Sequence, residues 1–152
     1  MEVRGAEASL TAPFGNAFSV STSYTYAQSH DQGSDLQRAR TPLSFAKGTL
    51  KFAPPQGRVE ASASLNWVGD VYQSVGTFGR RNFGNYTTAN LAGRIFLDRA
   101  RQHRVGVALQ NVFDEEFATR LSQVQRDDGT GPALVRRLGV PRTYNLNYTY
   151  DF

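Results

Sequence analysis

Apolar and polar residues alternate through seven separate segments of this chain. In residues 17–28, for example, Phe18, Val20, Tyr24 and Tyr26 fall on one side, and serine and threonine fall on the other. The seven segments are 3–12, 17–28, 43–53, 59–67, 86–97, 104–111 and 144–152. Because successive side chains of a β-strand point to opposite faces, this period predicts seven antiparallel strands, each with one apolar face.

Composition favours a membrane environment for those apolar faces. Hydrophobic residues make up 39% of the 152 residues, aromatic residues 12%, and the mean hydropathy is −0.46. No stretch approaches 18 consecutive apolar residues, so a transmembrane helix is excluded. A tilted strand needs only about 9–11 residues to span a bilayer, and only one of its faces must be apolar.

The connections between the segments alternate between short and long. The short ones are PFGN (13–16), PPQG (54–57) and DRARQ (98–102), and the long ones are 28–42, 70–85 and 112–141. Transmembrane barrels have short periplasmic turns and long extracellular loops. We therefore predict an all-β fold, an antiparallel transmembrane β-barrel segment of about seven strands, in which Phe152 ends at the periplasmic rim.

The chain ends in RTYNLNYTYDF, which places an apolar or aromatic residue at every second position up to a terminal phenylalanine. The alternating set is Tyr144, Leu146, Tyr148, Tyr150 and Phe152. This pattern resembles the C-terminal signature of bacterial outer-membrane proteins. The resemblance implies recognition by the barrel-assembly machinery through strand pairing. An ordinary amphipathic edge strand is the alternative interpretation.

A second motif, VGVALQNVFDEEFATR, occupies residues 105–120. It resembles the penultimate-strand motif of TonB-dependent receptors, and the matching positions are Asn111, Val112, Phe113, Asp114 and Phe117. We expect Phe113 and Phe117 to lie in the outer aromatic girdle. We expect Asn111 and Asp114 to bond backbone groups where the strand leaves the membrane. The alternative is a plain strand end with an Asx turn.

The resemblance implies that residues 1–152 are the C-terminal portion of a TonB-dependent receptor barrel, the last seven strands of an expected 22. No plug domain, energy-coupling box or signal peptide is found in the chain. The implied location is the outer membrane of a Gram-negative bacterium. The implied partners are outer-membrane lipid, the barrel-assembly machinery, the remainder of the barrel and plug, and TonB through the missing N-terminal part. The implied ligand is a nutrient, most often an iron–siderophore complex.

No residue pattern predicts an enzyme, a cofactor or a metal site. Cysteine is absent, and His30 and His103 lack patterned carboxylates around them. The arginines are spread over turns and loops, which does not indicate a nucleic-acid-binding face. Six loop residues are candidates for contact with an anionic ligand, against the alternative of solvated loop charge. They are Phe78, Arg80, Arg81, Phe83, Arg136 and Arg137.

Two other interpretations remain open from the sequence. One is a small complete outer-membrane barrel, structural or adhesin-like, with an eighth strand in segment 119–138. The other is a soluble β-barrel or sandwich that binds a small ligand. Two open edges would leave on the order of ten polar backbone groups each facing lipid, at several kcal/mol per group. That cost favours a fragment completed by further strands.

Overall fold

The computed structural model describes residues 2–30 and 36–152, so part of the first long connection, residues 31–35, lies outside the described residues. Eleven strands and one short 3-10 turn, Gly76–Phe78, make up the regular structure of the described part. The strands are β1 (Glu2–Phe14), β2 (Phe18–His30), β3 (Ser44–Phe52), β4 (Val59–Val68), β5 (Tyr72–Ser74), β6 (Arg80–Asn82), β7 (Tyr86–Phe96), β8 (His103–Gln110), β9 (Ala118–Gln125), β10 (Pro132–Leu138) and β11 (Thr143–Tyr150). None of the described residues lies in a helix long and apolar enough to cross a membrane.

Seven of these strands form one antiparallel sheet in the order β1-β2-β3-β4-β7-β8-β11. They correspond one to one with the seven alternating segments, so the predicted all-β fold and strand count are confirmed. The four remaining strands form two separate hairpins, β5–β6 and β9–β10, inside the second and third long connections. The three short connections join neighbouring strands directly, as turn residues favour.

The register of the sheet brings the apolar positions of all seven alternating segments onto one face, which we call the apolar face. One row of Cα partners illustrates it: Val20, Leu50, Ala63, Leu91, Leu109 and Tyr144. The neighbouring row, on what we call the polar face, is Ser19, Lys51, Ser62, Ala92, Ala108 and Asn145. Large side chains of the apolar face are exposed, Leu146 by 77%. A continuous exposed apolar surface of this kind suits hydrocarbon.

Aromatic rings border the apolar face at both ends of the strands. At the short-turn end, the Phe18 ring lies 5.4 Å from that of Phe14 and 4.9 Å from that of Phe52. Toward the long-connection end, Tyr24 and Trp67 share one row through Ala46. The Phe18 and Tyr24 rows are six residue steps apart, about 20 Å along a strand. Two aromatic girdles around an apolar band are typical of outer-membrane barrels.

The structure argues against both alternative folds. Within the described ranges, β1 and β11 are not paired with each other, so the sheet does not close on itself. Segment 119–138 forms its own hairpin and supplies no eighth strand to the sheet, because its apolar residues do not share a face: Leu121 and Val124 are three positions apart. The buried hydrophobic residues of the described part are few and do not form a core along the sheet, as a soluble sandwich requires.

Candidate functional site

The described long connections leave the same end of the sheet and contact one another there. The β5–β6 hairpin connects β4 to β7, and the β9–β10 hairpin connects β8 to β11. Since β7 pairs with β4 and also with β8, the two hairpins lie side by side above the sheet. We call these hairpins, together with residues 36–43, the loop cluster.

A small hydrophobic core holds the two hairpins together. Val75 in the second connection and Ala118 and Leu121 in β9 are buried against each other, and Phe78 and Phe83 pack on them. Both phenylalanines were predicted to contact a ligand. Both rings are half-buried against this core and support the loop cluster.

Two glutamines add polar contacts across the same junction. The Gln73 side chain donates from Nε2 to the carbonyl oxygen of Leu121 at 2.6 Å and accepts from its N–H at 3.3 Å. The Oε1 atom of Gln123 accepts from the backbone N–H of Thr77 at 2.9 Å and from its hydroxyl at 3.1 Å. Sequence analysis missed both glutamines, because nothing distinguishes them from other polar loop residues until the hairpins are placed together.

Arg80 links the second connection to the first. Its Nη2 atom donates to the carbonyl oxygen of Gln37 at 2.7 Å, and its guanidinium lies 4.7 Å from the centre of the Tyr72 ring. The Gln37 side chain in turn bonds strand β2, accepting from the N–H of Ser29 and donating to the carbonyl oxygen of Ala27. Arg80 therefore stabilises the cluster. Its guanidinium, which was a candidate for ligand contact, is engaged by groups of the protein itself.

The other three candidate arginines remain at the surface of the loop cluster. Arg81 donates from Nε to the carbonyl oxygen of Phe78 at 3.0 Å. Arg136 lies 3.6 Å from the Glu116 carboxylate, an exposed ion pair that contributes little to stability. Arg137 is exposed beside it. No hydrogen bond or ion pair in the described part of the chain joins the arginines of β6 to those of β10.

Asn111 closes the third connection at its base. This side chain is only 3% exposed and donates to the carbonyl oxygens of Glu115 (2.9 Å) and Val140 (3.0 Å), while its Oδ1 accepts from the Glu115 N–H at 2.9 Å. Asp114 accepts from the N–H of Arg142 at 2.9 Å. Both residues have positive φ, 49° and 55°, a region that asparagine and aspartate tolerate better than most residues. The two side chains thus bond backbone groups where β8 leaves the sheet.

The two phenylalanines of the same motif lie on opposite sides of the sheet. Phe113 is 67% exposed and borders the apolar face beside Leu65 and Leu91. Phe117 instead stacks on Tyr86, with the ring centres 4.3 Å apart, and the register partner of Tyr86 is Val68 on the polar face. The expected girdle position of Phe117 is therefore wrong, because the turn at residues 111–114 comes between β8 and Phe117 and interrupts the alternation of the strand.

The last strand, β11, pairs with β8 on one edge, and its other edge has no partner among the described residues. All five alternating residues of the terminal signature lie exposed on or just beyond the apolar face. The Nδ1 atom of His103 lies 2.7 Å from the Tyr148 hydroxyl, and the His103 ring stacks on Tyr150 at 4.6 Å. Tyr150 makes an edge contact with Phe152 at 4.8 Å.

Asp128 marks the tip of the β9–β10 hairpin. Its Oδ1 atom accepts from the hydroxyl of Thr130 at 2.6 Å and from the Thr130 N–H at 3.0 Å. These bonds, the hydroxyl first, lower the pKa of the Asp128 carboxyl because they favour its charged form. The carboxylate is thus engaged within its own turn.

Comparison with known proteins identifies structures that are similar to this fold. No family model matches the chain, and no curated protein matches it. Among solved structures it is similar to FpvA of Pseudomonas aeruginosa in complex with a heterologous ferric pyoverdine, with a TM-score of 0.77 and 17% identity over 99% of this chain and 19% of that one. It is equally similar in sequence, at 17% identity, to the ferripyoverdine receptor of the outer membrane of Pseudomonas aeruginosa bound to ferripyoverdine, with a TM-score of 0.75 and the same coverages.

A third similar structure is the complex of FpvAI with pyocin S2, with a TM-score of 0.77, 17% identity, and coverage of 99% of this chain and 20% of that one. The chain thus has the fold of part of a TonB-dependent receptor, which confirms the resemblance at the level of fold. It spans about a fifth of those receptors' length. The similar proteins are receptors and not enzymes.

Proposed function

We propose that this chain forms the C-terminal seven strands of a TonB-dependent receptor barrel in the outer membrane of a Gram-negative bacterium. The complete protein then imports a scarce nutrient, an iron–siderophore or similar complex, with energy supplied through TonB. The observation that carries this proposal is the single apolar face, continuous across seven strands and bordered by aromatic rings, in a chain that matches a receptor fold over 99% of its length.

The two faces of the sheet then have separate environments. Outer-membrane lipid covers the apolar face, and the polar face, with Lys47, Lys51 and Arg94, lines the lumen and meets the plug. The free edges of β1 and β11 pair with the remainder of the barrel, because unpaired backbone groups in hydrocarbon cost several kcal/mol each.

The loop cluster is the ligand-facing surface in this proposal. Arg81, Arg136 and Arg137 are three of its exposed cations and contact the ligand, since guanidinium groups suit anionic oxygen. Phe78, Phe83 and Arg80 hold the cluster in shape. The terminal signature on β11, with its free edge, is bound by the barrel-assembly machinery through strand pairing.

Uptake by the native host tests the function. The gene for the complete protein is deleted, and radioactive iron bound to chelates extracted from the host's iron-starved medium is supplied to the cells. We expect uptake to fall on deletion, to return with the wild-type gene, and to require TonB. An Arg81→Gln/Arg137→Gln variant should restore less uptake than wild type at equal surface abundance. Uptake that is unchanged by the deletion would contradict the iron proposal, and fractionation of the protein away from the outer membrane would contradict the barrel proposal.

A further inference from the structure

A pocket of about 490 Å³ lies at the other end of the sheet, between two of the short turns. Strands β4 and β7 pair directly, so the turn that precedes β4 and the turn that follows β7 are neighbours. Residues that line the pocket include Gln56, Arg58, Phe96, Asp98, Arg99 and Arg101. Its volume falls in the range of small-molecule sites in proteins.

Arg101 builds one wall of this pocket in a fixed geometry. Its backbone has φ of 61°, a left-handed conformation that is unusual for arginine and that surrounding contacts must hold in place. Its Nη2 atom donates to the carbonyl oxygen of Gly57 at 2.6 Å and lies 3.8 Å from the Glu60 carboxylate. The guanidinium also lies 4.3 Å above the centre of the buried Phe96 ring. These contacts join the two turns and preorganise the pocket.

The pocket carries an excess of positive charge. Within residues 2–30 and 36–152, neither Arg58 nor Arg99 has an ion-pair partner, although both are exposed. The single carboxylate in the lining, Asp98, is directed at its own turn, where it accepts from the N–H groups of His103 (2.9 Å) and Gln102 (3.2 Å). Because Arg101 is paired with Glu60 and Asp98 is engaged within its own turn, the guanidinium groups of Arg58 and Arg99 supply the unpaired positive charge of the pocket.

We propose that this pocket binds a phosphate group. Guanidinium groups bind phosphate through paired, charge-assisted hydrogen bonds, and a phosphate monoester carries close to two negative charges near neutral pH. That charge matches the two unpaired guanidiniums of Arg58 and Arg99. A free solute supplies the phosphate as a monoester, whereas a phospholipid headgroup at the rim of the membrane supplies a phosphodiester, which has one negative charge and pairs with one of the two guanidiniums.

Binding to the complete protein, purified in detergent, tests the site with two probes. Isothermal titration with sodium pyrophosphate reports a free phosphate group. Flotation with phosphatidylglycerol vesicles, against phosphatidylcholine vesicles, reports a headgroup. The test variant is Arg58→Gln/Arg99→Gln, and both side chains are exposed, so folding should be preserved. The matched control, Arg120→Gln/Arg126→Gln, removes the same charge from the exposed surface of the β9–β10 hairpin at the other end.

We expect the test variant to weaken binding about tenfold or more and the control variant to leave it unchanged. Binding of pyrophosphate alone assigns the site to a solute, and binding of anionic vesicles alone assigns it to a headgroup. An equal loss in both variants, or no binding of either probe by the wild-type protein, would overturn the site. Neither readout involves iron, so a failure here is distinct from a failure of the proposed transport function.

Discussion

The side-chain amide of Gln73 pairs with the backbone of Leu121 as a strand residue would, donating to its carbonyl oxygen at 2.6 Å and accepting from its N–H at 3.3 Å. Both residues are buried. An amide side chain has the same donor and acceptor as a peptide group, so Gln73 connects the β5–β6 and β9–β10 hairpins through a peptide-like contact. Together with the Gln123–Thr77 bonds, this contact makes the two outer loops one unit.

Replacing Gln73 with alanine should separate that unit. The substitution leaves the buried N–H and carbonyl of Leu121 without partners, at about 1–3 kcal/mol for each group. Hydrogen exchange of residues 118–125 should then become at least about tenfold faster, since 1.4 kcal/mol corresponds to a factor of ten. Gln125→Ala, an exposed position on the same hairpin, is the control and should change little. Unchanged exchange in Gln73→Ala would show that the hydrophobic contacts alone hold the hairpins.

Asn111 should be sensitive both to the loss of its amide and to its backbone conformation. In Asn111→Gly the two carbonyl oxygens of Glu115 and Val140 lose their donor, which should cost about 1–3 kcal/mol for each group. Asn111→Ala should cost about 1–2 kcal/mol more than the glycine variant, because alanine is strained at φ of 49°. Denaturant unfolding of the complete protein in detergent measures both differences. Equal stability of the glycine and alanine variants would contradict the backbone part of this prediction.

The strands and their facing could be predicted from sequence because membrane barrels require a strict period of two. The apolar positions of β2 and β11, from Phe18 to Tyr26 and from Tyr144 to Phe152, therefore identify the outward face without any tertiary information. The turns were equally readable, because proline, glycine and asparagine have local conformational reasons to be there.

The loop cluster could not be predicted, because its contacts join residues far apart in sequence. Gln73 and Leu121 are 48 positions apart, and their pairing depends on how two hairpins dock. The expected side of Phe117 is wrong for a related reason: the turn at residues 111–114, with positive φ at Asn111 and Asp114, is not visible in a pattern of hydrophobicity. The arginines were identified as loop residues, but only the structure separates Arg80, which supports the cluster, from Arg81, which lies at the surface.

Asp98 should make the turn between β7 and β8 sensitive to acid. Hydrogen bonds from the backbone, chiefly from the His103 N–H, lower the pKa of the Asp98 carboxyl in the folded protein. A lowered folded-state pKa contributes stability above the unfolded value, about 4, and that contribution is lost as the pH falls through the folded-state value. Asp98→Asn should therefore show a smaller loss of stability between pH 7 and pH 3 than wild type. Asp127→Asn, at the far hairpin tip, is the control. Parallel pH profiles for wild type and Asp98→Asn would contradict the assignment.

Phe152 should matter for assembly far more than for the stability of the folded sheet. Its side chain is fully exposed and its ring contact is with Tyr150, so Phe152→Ala should change unfolding free energy by about 1 kcal/mol or less. If the terminal signature is read by the assembly machinery, the same variant should lower the folded, heat-modifiable fraction in cells severalfold. Phe14→Ala, an exposed ring at the same end of the sheet, should leave that fraction unchanged. Normal assembly of the Phe152→Ala variant would contradict a role of Phe152 in recognition by the assembly machinery.

Neighbouring residues of β8 offer the most direct test of which face meets lipid. Val107 lies on the apolar face, 55% exposed, opposite Leu146 and Gly93, whereas Ala108 lies on the polar face opposite Asn145. Val107→Arg should destabilise the complete protein in bilayers by about 2–4 kcal/mol, the cost of a cation near the midplane, and Ala108→Arg should cost much less because its side chain enters water. Unfolding in detergent-free vesicles measures both variants in the same assay. Equal costs, or a larger cost for Ala108→Arg, would contradict the assignment of the apolar face to lipid. The contradiction would apply to every strand, because the register fixes the facing of all paired strands together.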